Sequence, residues 1–316
     1  MMKKTFILPV LAANRRRNSF LMGSVLLALV WCAGSGCSIK RTVRTAVNPK
    51  ILQAQSATFE ELLSIAQSFA NISALSSNNL RFTLTSGKIE SGELQKYRSA
   101  PGYILLKRPD SIRLVVQIPV TKTALLDLLS VGDEFCVWVP RENKFYTGKN
   151  SAMELVAEDL PNSPGFTIRA THIFEAILPP SIAPDAPGIY VAVREEMTSG
   201  AKYYVLSLYR EGDSRRIHPV RDIWIERSGL TVERQEVYRD EGHVVSDITY
   251  SGELFVDSYH LPEKIHIDRP MDGYALDMEF KAWRVNPDLP EDAFILTPPE
   301  GAQIVPFKEK GRSTAS

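Results

Sequence analysis

Residues 274–280, YALDMEF, put Tyr274, Leu276, Met278 and Phe280 on one side of an extended chain, with Asp277, Glu279 and then Lys281 on the other. A two-residue period is the geometry of a β-strand with one apolar and one wetted face. The same alternation sets Leu80, Phe82 and Leu84 against Arg81 and Thr83, and Leu114, Val116 and Ile118 against Arg113 and Gln117. Further strand candidates fall near residues 101–107, 133–139, 143–147, 188–195, 202–210, 220–227, 230–239, 244–252 and 262–268. Turn formers separate them, among them Pro109-Asp110, Glu142-Asn143, Ser228-Gly229 and Asp272-Gly273. Many short strands joined by tight turns predict a mainly β (α+β) fold, a curved antiparallel sheet or open half-barrel of about eleven strands.

A one-faced sheet needs a cover, and the helices available for it are few. Thr58 can cap a first helix, Glu61 completes a capping box, and Leu62, Ile65, Ala66, Phe69 and Ile72 recur at helical spacing. A second helix is expected over residues 150–159 and a third over 168–178, stopped by Pro179-Pro180. Three helices cannot seal such a sheet, so a partly open apolar cleft is expected on the concave face. The tail, residues 308–316, is polar and expected to fray.

The amino-terminal segment has a separate logic. Lys3, Lys4, Arg15, Arg16 and Arg17 precede an apolar run at residues 19–31, and no acidic residue occurs before Cys37. The run is shorter than the roughly 20 residues of a spanning helix and fits the core of an export signal. Gly34, Ser35 and Gly36 ahead of Cys37 resemble the bacterial lipobox, which implies cleavage of residues 1–36 and lipidation of Cys37. An uncleaved anchor and a released soluble protein are the alternatives. Arg16, Arg17, Phe20 and Leu21 also resemble a twin-arginine signal. Residues 37–56, with Lys40, Arg41, Arg44 and Lys50, then read as a lipidated cysteine and a flexible tether. Ser38, where enterobacterial lipoproteins retained at the inner membrane carry aspartate, favours by resemblance the periplasmic face of the outer membrane.

Without residues 1–36 the chain has 32 basic and 37 acidic residues, so no cationic excess remains for a phosphate backbone and nucleic acid is not an expected partner. With Cys37 acylated, Cys136 is the remaining thiol, and in FCVWV it reads as a small core residue. His172, His218, His243, His260 and His266 show no paired ligand spacing, so no metal or cofactor is expected. No G-x-S-x-G elbow or phosphate-cradling glycine loop occurs, and the Glu195-Glu196 and Asp240-Glu241 pairs suit solvated strand ends. The expectation is a protein that is not an enzyme.

The order of lipobox, tether, helix and long meander resembles the LolA/LolB lipoprotein-localisation family over most of residues 57–307. The stretch PDSIRL at residues 109–114 is similar to the P-D-x-x-R-L motif of that family, and Ile118-Pro119-Val120-Thr121 falls where the family has a Pro-Leu loop. NKFYTG at residues 143–148 and LPEKIHI at residues 261–267 follow in the family's order. The resemblance implies an apolar cavity for acyl chains of lipids or lipoproteins, a periplasmic carrier as a further partner, and delivery to the outer membrane. The lining residues expected are Leu114, Val116, Ile118, Phe135, Val137, Trp138, Phe174 and Ile177. A membrane-contact loop is expected at Val120, with Leu125 and Leu126 nearby. The alternative is an envelope accessory lipoprotein that docks a protein partner through Tyr203, Tyr204, Tyr209 and Trp224.

Overall fold

The computed structural model describes residues 53–88, 93–151, 155–156, 168–213, 216–239 and 242–309. Cys37, the signal segment and most of the tether lie outside the described residues. Helix α1 (Phe59–Ala66) opens the fold, and its capping box is formed: the Glu61 amide donates to Thr58 Oγ1 at 3.2 Å and the Thr58 amide to Glu61 Oε2 at 2.8 Å. Strands β1 (Ala74–Lys88), β2 (Glu93–Lys96), β3 (Ala100–Lys107), β4 (Ser111–Gln117), β5 (Ala124–Val131), β6 (Glu134–Val139), β7 (Lys144–Lys149) and β8 (Leu155–Val156) follow. Helix α2 (Ala170–Ile177) leads into β9 (Ile189–Thr198), β10 (Ala201–Glu211), β11 (Ile217–Glu226), β12 (Thr231–Tyr238) and β13 (Val244–Val256). The chain closes with β14 (Tyr259–Arg269), β15 (Tyr274–Phe280), β16 (Arg284–Val285), β17 (Gln303–Pro306) and β18 (Lys308–Glu309).

Sixteen strands form one curved sheet in the order β17-β7-β6-β5-β4-β3-β1-β15-β14-β13-β12-β11-β10-β9, with β2 and β16 also paired to β1. All pairs are antiparallel except β17 with β7. The two ends of this order do not meet, so the sheet is an open half-barrel. It is larger than the expected eleven strands because several strands are too short or too apolar to show alternation. ALLDLLSV is one of them: it forms β5, in which four consecutive residues, Asp127 to Ser130, are buried.

The alternation of residues 274–280 becomes β15, which pairs with β1 so that Phe280 faces Leu80, Met278 faces Phe82 and Leu276 faces Leu84. All six are buried, which makes this ladder the spine of the core. A bulge between Ser77 and Leu80 shifts the register of β1 on β3, so Leu75 and Leu80, five positions apart, both enter that core.

Two helices lie on the concave face. Helix α2 buries Ala170, Ile173, Phe174, Ala176 and Ile177 against the central strands, and ends where Leu178 donates its amide to Phe174 O before Pro179. Helix α1 covers β10, β11 and β12, where Leu62 joins Tyr204, Leu206, Ile223 and Ile225 in a second, smaller cluster. It stops at Gln67, so Phe69 and Ile72 lie beyond the helix on which their spacing placed them. The Arg108 guanidinium ties the two ends together, donating to the carbonyls of Ile72 (2.9 Å), Phe69 (3.2 Å) and Pro179 (3.1 Å).

Two expectations need correction. The helix expected over residues 150–159 is not formed at Leu155–Val156, which form β8 and pair with β18, where the returning chain satisfies their backbone; residues 152–154 and 157–159 lie outside the described residues. The same pairing keeps the tail extended through Glu309, whereas residues 310–316 lie outside the described residues.

Candidate functional site

Between the two hydrophobic clusters the concave face stays open. A cleft of about 750 Å³ is walled by the end of α1 (Ile65, Ala66, then Phe69), by Leu230 and Val232 at the start of β12, and by Tyr259, Leu261 and Pro262 of β14. Its rim is polar, with Glu233, Glu253, Ser258 and His260. His260 Nδ1 lies 2.5 Å from Glu253 Oε1, and its ring packs edge-on to Phe255 with centroids 4.9 Å apart.

Two backbone positions shape this opening. Leu230 adopts a left-handed conformation at φ 52°, rare for a branched side chain, in the turn from β11 to β12. Gly252 sits at φ 67° within β13, between the Ser251–Lys264 and Glu253–Pro262 register pairs; a Cβ there would meet Glu263 Oε2 at 2.7 Å. Glycine therefore lets β13 pass close to β14 where the cleft begins.

The inner end is closed by polar groups that satisfy each other. Gln235 Nε2 donates to Tyr250 Oη at 3.0 Å, and Tyr250 Oη donates to the carbonyl of Ala176 on α2 at 2.7 Å. Burial pushes the Tyr250 phenol well above its ordinary value, so it stays a neutral donor. The site as a whole is an apolar slot with a hydrogen-bonded floor and a wet rim. It can hold an apolar chain; among the described residues no cluster of His, Cys, Asp and Glu could hold a metal ion.

The residues singled out from sequence are distributed differently. Leu114, Val116, Val137, Phe174 and Ile177 are buried together in the central cluster, and Phe135 packs on its margin with its ring 5.5 Å from Phe307. Ile118 is exposed just after β4. Trp138 points to the convex face, because its neighbours Val137 and Val139 both point inward. None of the eight lines the cleft at α1. Val120 stands in the turn between β4 and β5 and is 90% exposed. Leu125 and Leu126 belong to β5 and not to that turn: Leu125 is exposed and Leu126 packs against the core, since cross-strand pairing fixes their faces.

The aromatic group splits as well. Tyr204 is core, whereas Trp224 is buried on the convex face, 5.7 Å from Tyr203 and flanked by the guanidinium groups of Arg194 and Arg234. Cys136 is half-buried, and desolvation, then Asp127, push its thiol up to about 11 against the opposing Arg113. That direction disfavours the thiolate at neutral pH. Of the true lining, Ile65, Ala66 and Phe69 were visible as a helical stripe. Leu230, Tyr250 and Leu261 were not; the available signals were a large apolar residue directly after Ser228-Gly229, and a glycine interrupting TYSGELF.

Among the described residues no helix is long and apolar enough to cross a membrane. No family model matches this chain, and no curated protein does. Among solved structures, the chain is similar to a DUF1329 family protein from Desulfovibrio piger, with a TM-score of 0.49 and 14% identity over 74% of this chain and 95% of that one. It is similar to a LolA superfamily protein from Nitrosomonas europaea, with a TM-score of 0.45 and 15% identity over 76% and 99%. A candidate outer membrane lipoprotein-sorting protein domain from Vibrio parahaemolyticus follows, with a TM-score of 0.44 and 13% identity over 74% and 96%.

Proposed function

We propose that this chain is a non-enzymatic, lipid-anchored protein of the periplasmic face of the outer membrane that shelters acyl chains of lipids or lipoproteins in the cleft beside α1. The observation that carries this reading is the cleft itself: about 750 Å³, apolar-walled and open, within the 300–1,000 Å³ range of small-molecule sites. Removing an acyl chain from water yields about 0.8 kcal/mol per methylene, so binding needs no reactive group. Delivery of lipoproteins received from a periplasmic carrier would follow from the same chemistry.

The first described residues are bonded beside the cleft. The Gln55 amide donates to Arg227 O at 2.8 Å, its side chain to Ser228 O at 2.7 Å, and Arg227 Nε returns a bond to Gln55 O at 2.9 Å. Gly229 and Leu230, next along, wall the cleft.

The test is displacement of a fluorescent fatty acid from the full chain. The parent should bind it, and Ala66→Trp, which fills the cleft from the helix side, should lose binding with an unchanged melting temperature. A parent that holds no acyl ligand overturns the reading. One feature favours a second reading, docking of a protein partner: β9 is a ten-residue edge strand that exposes Tyr190, Val193 and Met197. Co-purification of a partner lost on Val193→Pro would favour it.

A further inference from the structure

Three arginines are buried in the described part of the molecule, and two of them are held conventionally. Arg227 donates to Gln55 O and to Glu195 Oε2 at 2.6 Å, and Arg269 to Asp272 Oδ2 at 2.8 Å and to His172. Arg221 is different. It is 7% exposed, and among the described residues no hydrogen bond and no carboxylate within 4.0 Å engages its guanidinium, whose nitrogens keep a trace of solvent contact. It stands on β11 on the same face as Ile223 and Ile225, flanked in register by Leu208 of β10 and Val237 of β12. The charged and titratable groups that act on it are Glu175 of α2 and the Tyr250 phenol, both through space.

A guanidinium remains ionised at any working pH, and one that is poorly solvated and unpaired is destabilising. Its planar fork of five N–H donors matches the paired oxygens of a carboxylate or phosphate. The position is informative too. Gln235, at the inner end of the cleft, and Val237, opposite Arg221, are two residues apart on one face of β12, a distance of about 7 Å. The Gln235–Tyr250 hydrogen bond lies at the end of the cleft nearer the arginine.

We propose that Arg221 is the receptor for an anionic head, carboxylate or phosphate, of an acyl ligand that enters the cleft head first and parts the Gln235–Tyr250 pair. This assignment rests on the acyl-binding reading and narrows it: the preferred ligand is a free fatty acid or an acyl phosphate ester, not a chain whose head is a neutral amide. Gln235, freed from Tyr250, supplies a further donor to the same head, while Tyr250 keeps its bond to the Ala176 carbonyl.

The experiment compares oleate, lysophosphatidic acid and methyl oleate as competitors of a fluorescent fatty acid on the full chain. The parent should bind the acid about tenfold or more tightly than the ester, the ratio that a charge-assisted hydrogen bond supplies. Arg221→Met should bind the ester as the parent does but lose the preference for the acid. Its melting temperature without ligand should equal or exceed the parent's, because a fitted apolar side chain replaces a buried charge. Arg221→Lys keeps the charge and should keep a weaker preference. Oleate and lysophosphatidic acid competing alike assign a general anion site; oleate alone assigns a carboxylate site. Equal binding of acid and ester by the parent overturns the role of Arg221 while leaving the cleft as an acyl site. Preference retained in Arg221→Met overturns it too, and a parent that binds none of the three sinks both readings.

Discussion

The concave face has two halves built from the same alternating strands, and only one of them is open. Under α2 the helix drives Ile173, Phe174 and Ile177 down between the strands, and together with Leu114, Val116 and Val137 they form a packed interior. Under α1 only Leu62 is fully inserted, while Leu63, Ile65 and Ala66 rest at the margin, and the cleft persists alongside. An apolar strand face is thus necessary for an acyl site but does not locate one. What decides is how deeply the covering helix reaches.

The contrast can be broken hardest from the closed half. Phe280 is fully buried, faces Leu80 and stacks on Trp283 with centroids 4.0 Å apart. Phe280→Ala should lower the unfolding free energy by about 3–5 kcal/mol in urea titrations, the cost of a large core truncation. If the halves are as different as described, trimming Ala66 or Val232 at the cleft wall will cost far less.

Acid should also act through the closed half. His172 of α2 lies with Nδ1 3.0 Å from Tyr274 Oη and Nε2 3.0 Å from the Arg269 guanidinium, with Asp272 at 4.0 Å. The arginine can only donate, so Nε2 accepts and Nδ1 carries the proton. Burial, then Arg269 and Arg169, push the imidazole down to about 3, so the folded protein holds it neutral. The unfolded chain takes up a proton near the ordinary 6.5, and stability present in full above that pH should be lost on acidification towards 3. The slope for one such group is at most about 1.4 kcal/mol per pH unit. Chemical denaturation at stepped pH should show this limb in the parent and a flatter one in His172→Gln; identical limbs would remove His172 from the account.

The smallest expected effect belongs to the open half. Thr58→Ala removes the side-chain cap of α1 and should cost about 1 kcal/mol. Hydrogen exchange should quicken in α1 and leave the amides of α2 unchanged, since the two helices sit on separate clusters. Parallel loss of protection in both would mean that they are one cooperative unit.

Much of the fold was legible because strand alternation and capping are local. Residues 274–280 and the Thr58–Glu61 box are correct as read, each depending on neighbours within a few positions. The strand at ALLDLLSV was not legible, because a strand buried on both faces loses its alternation and its place is set by pairing with β4 and β6. The direction of Trp138 is illegible for a related reason: its greasy neighbours hide which residue of VWV turns outward. The segment at residues 286–302 supplies that outer cover; within it the carbonyls of Ala293 and Ile295 accept from Arg113, whose guanidinium also grips Asp127.

The amino-acid sequence alone determined that this chain makes a large one-faced sheet with few helices, since periodicity and turn chemistry are written residue by residue. Only the tertiary structure decided where the face stays open and that Arg221 is buried with no hydrogen-bond partner among the described residues. Those facts depend on where two eight-residue helices come to rest on strands distant in the chain, and no local pattern encodes a long-range fit.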